Sequence, residues 1–327
     1  MQRGNHFRVE SHDQRAARRL ARHGFTLMEL LVVIVIIVML ASLVLGGLAA
    51  AQERSREEQT RATISKINGQ VMLLWDAYRT RRVAIPESQL GPMFGNLRLP
   101  MASARLGLLR TYQRQEMPDS YADLMPLAMM GSPVASPLAS FVQNPPIAAA
   151  QNESAECLFL TVTYGMNADA QVKFSGREIG DTDNDGNPEF LDGWGNPIAW
   201  LRWAPGFISE IQHDPADDFH ADPFDPLGVF RPDPPPGSPP TGFRTYPLIV
   251  SAGPDGFFGI FPFDSPGFVT AEPAASNPYA LHTFNGQDLQ RGTDISGTVA
   301  MQAVAPAAAA EGGASGDNIH SHAVGVK

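Results

Sequence analysis

Residues 22–31 read Arg22-His23-Gly24-Phe25-Thr26-Leu27-Met28-Glu29-Leu30-Leu31. A basic stretch ends at a glycine, and an apolar run opens with one carboxylate, Glu29, set into its start. Residues 30–51 then continue without a charged side chain and are dominated by Val, Ile and Leu. As a helix that run spans about 33 Å, enough for a bilayer core. A cleavable secretory signal has a shorter apolar core than this one, and no A-x-A cleavage pattern follows this run cleanly. Glu29 is costly in such a helix unless it finds a partner. Snorkelling to the interface is the alternative.

Beyond residue 51 the chain turns polar, and apolar residues recur at Ile64, Ile67, Val71, Trp75 and Tyr78. Steps of three and four mark one face of a helix. The pattern predicts one helix from about 25 to 83, roughly 90 Å long, ended by Pro86. Gly46-Gly47 is its weak point. The first part (25–51) suits a bilayer or a filament core. The amphipathic continuation (52–85) suits packing on a globular head.

Charge divides the same way. Residues 1–24 hold six Arg against Glu10 and Asp13, and basic residues before an apolar span keep that end cytoplasmic. The rest of the chain holds 18 basic and 32 acidic side chains. An acidic body offers no electrostatic footprint for nucleic acid and a better one for cations. With one Cys in 327 residues no internal disulfide forms. With 28 Pro and 30 Gly the body is loop-rich rather than a helical bundle.

Gly, then Phe-Thr-Leu-x-Glu, then an apolar helix resembles the class III signal of the type IV pilin and type II secretion pseudopilin superfamily. The resemblance implies that a prepilin peptidase removes 1–24, cutting between Gly24 and Phe25 on the cytoplasmic face, and that Phe25 is then N-methylated. It implies that Glu29 offers its carboxylate to the N-terminal amine of a neighbouring subunit during assembly, since a charged amine in an apolar setting needs a counter-charge. The implied fold class is α+β, pilin-like: a long N-terminal helix packed on a small antiparallel sheet with irregular inserts.

Two later segments resemble the major (G-type) pseudopilins. Asp192-Gly193-Trp194-Gly195-Asn196-Pro197 is similar to their Asp-Pro-Trp-Gly-Asn-Pro turn, with Gly193 in place of the Pro. It implies Trp194 packed on the helix and a following strand over 198–203. Ser251-Ala252-Gly253-Pro254-Asp255-Gly256-Phe257-Phe258-Gly259 is similar to their Ser-x-Gly-x-Asp-Gly-x-x-Gly loop, which with a downstream Asp-Ile binds calcium. Asp294-Ile295 is the candidate for that element. Asp-Gly also marks an ordinary hairpin turn at Asp255.

A third acidic stretch reads Asp181-Thr182-Asp183-Asn184-Asp185-Gly186, with Asp192 at the twelfth place. Acids at positions 1, 3, 5 and 12 and Gly at 6 approach a calcium loop of the EF-hand type, although no helices are apparent beside it. The other reading is a solvated acidic turn. The candidate calcium ligands are therefore Asp181, Asp183, Asp185, Asp192, Asp255 and Asp294. A calcium clip would close loops that a disulfide cannot close here.

Elsewhere the sequence says less. A short helix broken at Pro100 is expected within 97–115, a capped turn at 119–124, and an irregular insert over 126–150. The apolar run 157–164 fits a buried strand or a helix, with Cys157 as a small core residue. Residues 204–245 read as an extended Pro/Asp-rich loop within the head (86–302). Residues 303–327, ending near His320 and His322, read as a disordered tail. No motif of hydrolase, nucleotide or zinc chemistry occurs, so the chain is not expected to be an enzyme. The expected role is mechanical: a pseudopilus subunit in the inner membrane, head outside the cytoplasm. Its partners would be prepilin peptidase, other pseudopilins and an assembly platform. A minor pilin in adhesion or DNA uptake, or a membrane-anchored calcium-dependent binding module, is the alternative.

Overall fold

A computed structural model describes residues 25–85, 98–125, 127–129, 132–134, 136–142, 152–165, 173–212, 222–226, 245–263, 282–284, 287–289, 291, 293, 295 and 318–324. The chain divides into two compact units, Met1–Gln52 and Glu53–Lys327. Long N-terminal helix and small antiparallel sheets together make the mixed α+β, pilin-like arrangement that the resemblance implies.

Helix α1 is Leu27–Thr80, and it runs through Gly46 and Gly47 without a break. In the first unit its apolar side chains are exposed, from Leu30 to Leu48. It is the one helix, among the described residues, long and apolar enough to cross a membrane. In the second unit Thr60, Thr63, Ile64, Ile67, Gln70, Val71, Trp75 and Tyr78 are buried. That is the face read from the apolar spacing, and small polar residues extend it.

The core of the second unit forms around this face. Helix α2 (Arg98–Glu116) contributes Leu106 and Leu109, and α4 (Glu153–Tyr164) contributes Leu158, Phe159 and Val162. Between them α3 is a single turn, Tyr121–Leu124. Pro100 does not break α2. It lies in the first turn, where backbone N–H groups lack intrahelical acceptors anyway. The run 157–164 is helical, and Cys157 is buried in it. The 126–150 stretch is less irregular than expected: β1 (Leu127–Met129) pairs antiparallel with β2 (Ser132–Val134), and Pro137–Phe141 forms a 3-10 turn.

The central sheet has three strands. β5 (Ile198–Leu201) pairs antiparallel with β6 (Leu248–Ser251), with Ile198 opposite Ser251 and Leu201 opposite Leu248. The third strand, β9 (Ile319–His320), pairs antiparallel with β6. Smaller antiparallel pairs are β3 (Ile179–Gly180) with β4 (Glu189–Phe190), and β7 (His282–Phe284) with β8 (Gln287–Leu289).

The sheet's side chains alternate between two apolar clusters. Ile198, Trp200 and Ile249 join the core that holds α1 and α4. Ala199, Leu201, Leu248 and Val250 join a second cluster with Ile260, Phe207 and Phe258. The period of two survives, but loops cover the outer face, so both faces are dry.

Two sequence expectations fail here. The proposed disordered tail is ordered over 318–324, because Ile319 and His320 complete the open edge of β6 and a helical turn, Ser321–Val324, follows. The Pro/Asp-rich insert is not uniformly extended and solvated. Phe224 stacks edge-on against Trp75, and the buried Arg110 pairs with the buried Asp222.

Candidate functional site

At the N-terminal end of α1 the geometry is local. Thr26 N–H and Thr26 Oγ1 donate to Glu29 Oε2 at 2.8 and 3.0 Å, and Glu29 N–H donates to Thr26 Oγ1 at 3.2 Å. This is a reciprocal capping box that supplies acceptors to otherwise orphaned helix-start donors. Glu29 is thus held within the first turn of its own helix. Phe25 is 83% exposed beside it. Gly24 lies outside the described residues.

The segments 192–197 and 251–259 meet in space. Asp192 is the joint between them. Its Oδ1 accepts from Trp194 N–H and Asn196 N–H, each at 2.9 Å, and its Oδ2 accepts from Ser251 Oγ at 2.7 Å. Burial pushes the Asp192 carboxyl up, against these hydrogen bonds. Asn196 Nδ2 donates to Gly253 O at 2.8 Å. Downstream, Ile295 N–H donates to Gly259 O at 2.8 Å and Phe261 N–H to Thr293 O at 2.9 Å. The backbone on either side of position 294 is therefore laced to the end of the 251–259 loop. Asp294 itself lies outside the described residues. Asp255 is exposed, and its Oδ1 accepts from Phe257 N–H at 2.9 Å in a tight turn. Gly253, Gly256 and Gly259 all have φ between 61° and 76°, the left-handed region, which accounts for the glycine spacing of this loop.

Trp194 is only partly buried. Its indole packs at the margin of the core, and Nε1 donates to Glu53 Oε1 at 2.9 Å on α1. The tryptophans buried in that core are Trp75 and Trp200, at 2% and 0% exposure.

The third acidic stretch forms the loop of the β3–β4 hairpin. Asp181, Asp183 and Asp185 converge, with one oxygen from each within 4.8 Å of the others. Asn184 and Gly186 take left-handed backbone conformations, φ 60° and 95°, that wrap the loop. Asp181 receives the N–H groups of Asp185 and Gly186, and Asp185 receives Asn187 N–H. Asp192 does not join them, since its oxygens serve the turn just described.

Two carboxylates not singled out in the sequence take that place. Glu156 from α4 and Glu189 from β4 form a second group of three with Asp183, again within 4.8 Å. Two unit charges at that separation repel by about 3 kcal/mol at an effective dielectric of about 20. Burial, then the charges of Asp185, Asp183, Glu189 and Asp181, push Glu156 up to about 8. Burial also raises Glu189, which accepts from Thr182 N–H and Asn152 Nδ2, each at 3.1 Å. Glu189 had a signal: it is the ninth loop residue, a common ligand position in calcium loops. Glu156 had a weaker one, a charge beside the apolar run that starts at Cys157.

No curated protein and no solved structure matches the chain. Residues 19–45 match the family described as the prokaryotic N-terminal methylation motif. That stretch contains Gly24, Phe25, the capping pair Thr26 and Glu29, and most of the exposed apolar face of α1. Residues 19–45 thus carry a class III signal of the pilin and pseudopilin type, the mark of a type IV pilin-like substrate of prepilin peptidase, and the helix they open is long and apolar enough to cross a membrane.

Proposed function

We propose that this protein is a pseudopilin-like structural subunit of a type II secretion filament. The joint made by Asp192 carries the choice of pseudopilin over pilin, because it ties together the two segments that resemble the G-type subunits. The lacing of 259–261 to 293–295 supports it, as does a chain with no disulfide to brace its C-terminal loops.

In this reading the peptidase cuts between Gly24 and Phe25 at the cytoplasmic face of the inner membrane, and Phe25 is methylated. The processed subunit waits in the bilayer with its acidic head outside the cytoplasm. Assembly then moves the exposed apolar side chains of α1 from lipid into a bundle of like helices, where burial no longer depends on lipid. Glu29 meets the N-terminal amine of a neighbouring subunit. The chain catalyses nothing; its work is mechanical, with other pseudopilins and an assembly platform as partners.

The test is mass spectrometry of the native N-terminus together with isolation of filaments from cells carrying the secretion machinery. Methylated Phe25 in filaments lost with that machinery supports the reading. Methylated Phe25 in adhesive or DNA-uptake pili would make it a minor pilin instead. Retention of residues 1–24 while the peptidase is active would end both. A head that captures exported ligands but never enters filaments would favour a membrane-anchored binding module.

A further inference from the structure

Glu156 sits in the first turn of α4, at 1% exposure, against the β3–β4 hairpin. Its Oε2 accepts the Tyr121 hydroxyl, and its Oε1 is buried without a hydrogen-bond partner. Asp183 Oδ1 is likewise buried and unmatched. Both belong to one triad with Glu189, whose oxygens lie within 4.8 Å of one another. Buried acceptors are rarely left unmatched in folded proteins, and two in one carboxylate triad point to a cation between them.

The donor set names the class of cation. It is made of carboxylate oxygens alone, with no nitrogen or sulphur, which suits a hard ion. Asp181 and Asp185 bring further oxygens from the loop rim through the shared member Asp183. Calcium accepts six to eight oxygens in flexible geometry, whereas magnesium demands a near-ideal octahedron and keeps its waters. We propose that Glu156, Asp183 and Glu189, with Asp181 and Asp185 at the rim, bind one calcium ion that clamps the β3–β4 hairpin onto helix α4.

The clamp has a structural consequence. The residues that follow Glu156, among them Leu158, Phe159 and Val162, share one apolar core with Ile64, Ile67 and Val71 of α1. The ion therefore steadies the wall against which α1 packs. The site does not rest on the filament reading, and it shares no residue with the 251–259 loop.

The test uses the full chain, processed and purified in detergent. Calcium chloride titrated into metal-free protein is expected to give one saturable site per chain and a higher Tm. Glu156→Gln and Asp183→Asn are each expected to weaken that affinity at least about tenfold, since even losing a second-shell partner costs that much. Asp183→Asn is also expected to melt no lower than the parent without metal, because it removes one of the crowded charges. Asp255→Asn is expected to bind as the parent does. Should either variant fail to fold, terbium on the parent chain supplies the answer: emission sensitised through Tyr121 is expected, and Tyr121→Phe should reduce it. Absence of saturable calcium binding, unchanged affinity in both carboxylate variants, or loss of binding in Asp255→Asn alone overturns the proposal.

Discussion

The backbone N–H of Gly193 donates to Thr60 Oγ1 at 2.8 Å, locking the turn that precedes β5 onto helix α1. Thr60 Oγ1 in turn donates to Arg56 O at 2.8 Å, so the hydroxyl is used in both directions. The approach is close: a Cβ at 193 would lie 2.7 Å from Arg56 Cα and 2.8 Å from its carbonyl carbon. This explains why a glycine stands at this position. A proline would lack the N–H and add the colliding Cβ.

Gly193→Pro should therefore be among the most damaging single changes in the head. The expected loss is about 3 kcal/mol or more, from clash and lost hydrogen bond together. Thr60→Val keeps the shape and removes the hydrogen bond, with an expected loss of about 1 kcal/mol. Urea unfolding of the processed protein, followed by tryptophan fluorescence, measures both. Equal losses from the two variants would mean that the close approach is not the constraint.

Glu29 offers a way to separate capping from charge. Thr26→Val removes the reciprocal cap and leaves the carboxylate, while Glu29→Gln leaves an acceptor for Thr26 and removes the charge. If the charge serves a neighbouring amine, Glu29→Gln abolishes filament assembly and Thr26→Val leaves most of it. Sedimentation of sheared filaments distinguishes them. The reverse pattern would assign Glu29 to its own helix alone.

Acid should weaken the junction between α1 and the segment before β3. Burial alone raises Glu178, but Lys66 Nζ at 2.6 Å, Ser175 N–H at 2.7 Å and Thr63 Oγ1 at 2.9 Å outweigh it and hold Glu178 at about 2. A carboxyl depressed on folding stabilises above its ordinary value of 4.5, and that contribution falls away as pH drops toward 2. Melting curves across that window should show the loss, and Glu178→Gln should flatten it. An unaltered slope would place the acid sensitivity elsewhere.

His322 acts in a different window. It is buried beside Phe207 and Tyr246, and Nε2 faces Pro247 O at 3.1 Å while Nδ1 faces Ser209 Oγ at 2.8 Å. Burial pushes it down to about 4. A histidine kept neutral by the fold stabilises above its ordinary 6.5, and the contribution is lost as pH falls from there to about 4. His322→Ala should remove that dependence and cost about 1–3 kcal/mol at neutral pH. Hydrogen exchange at Val250 and Ser251 should rise with it, since β9 pairs with β6 there.

Sequence alone settled what depends on local order along the chain. The apolar run and the spacing Ile64, Ile67, Val71, Trp75, Tyr78 fix α1 and its buried face, because helix periodicity and bilayer thickness act through neighbours. The 251–259 loop was legible only as a resemblance, and its glycines at 253, 256 and 259 gained their reason from the backbone conformation. Tertiary structure decided what depends on distant groups meeting. It turned Asp192 from a loop acid into the joint between 192–197 and 251–259, brought Glu156 to Asp183 and Glu189, and recruited Ile319 and His320 to the open edge of β6. Those outcomes follow from partners far apart in the chain competing for the same hydrogen bonds, charges and strand edge, a competition that no short window of residues contains.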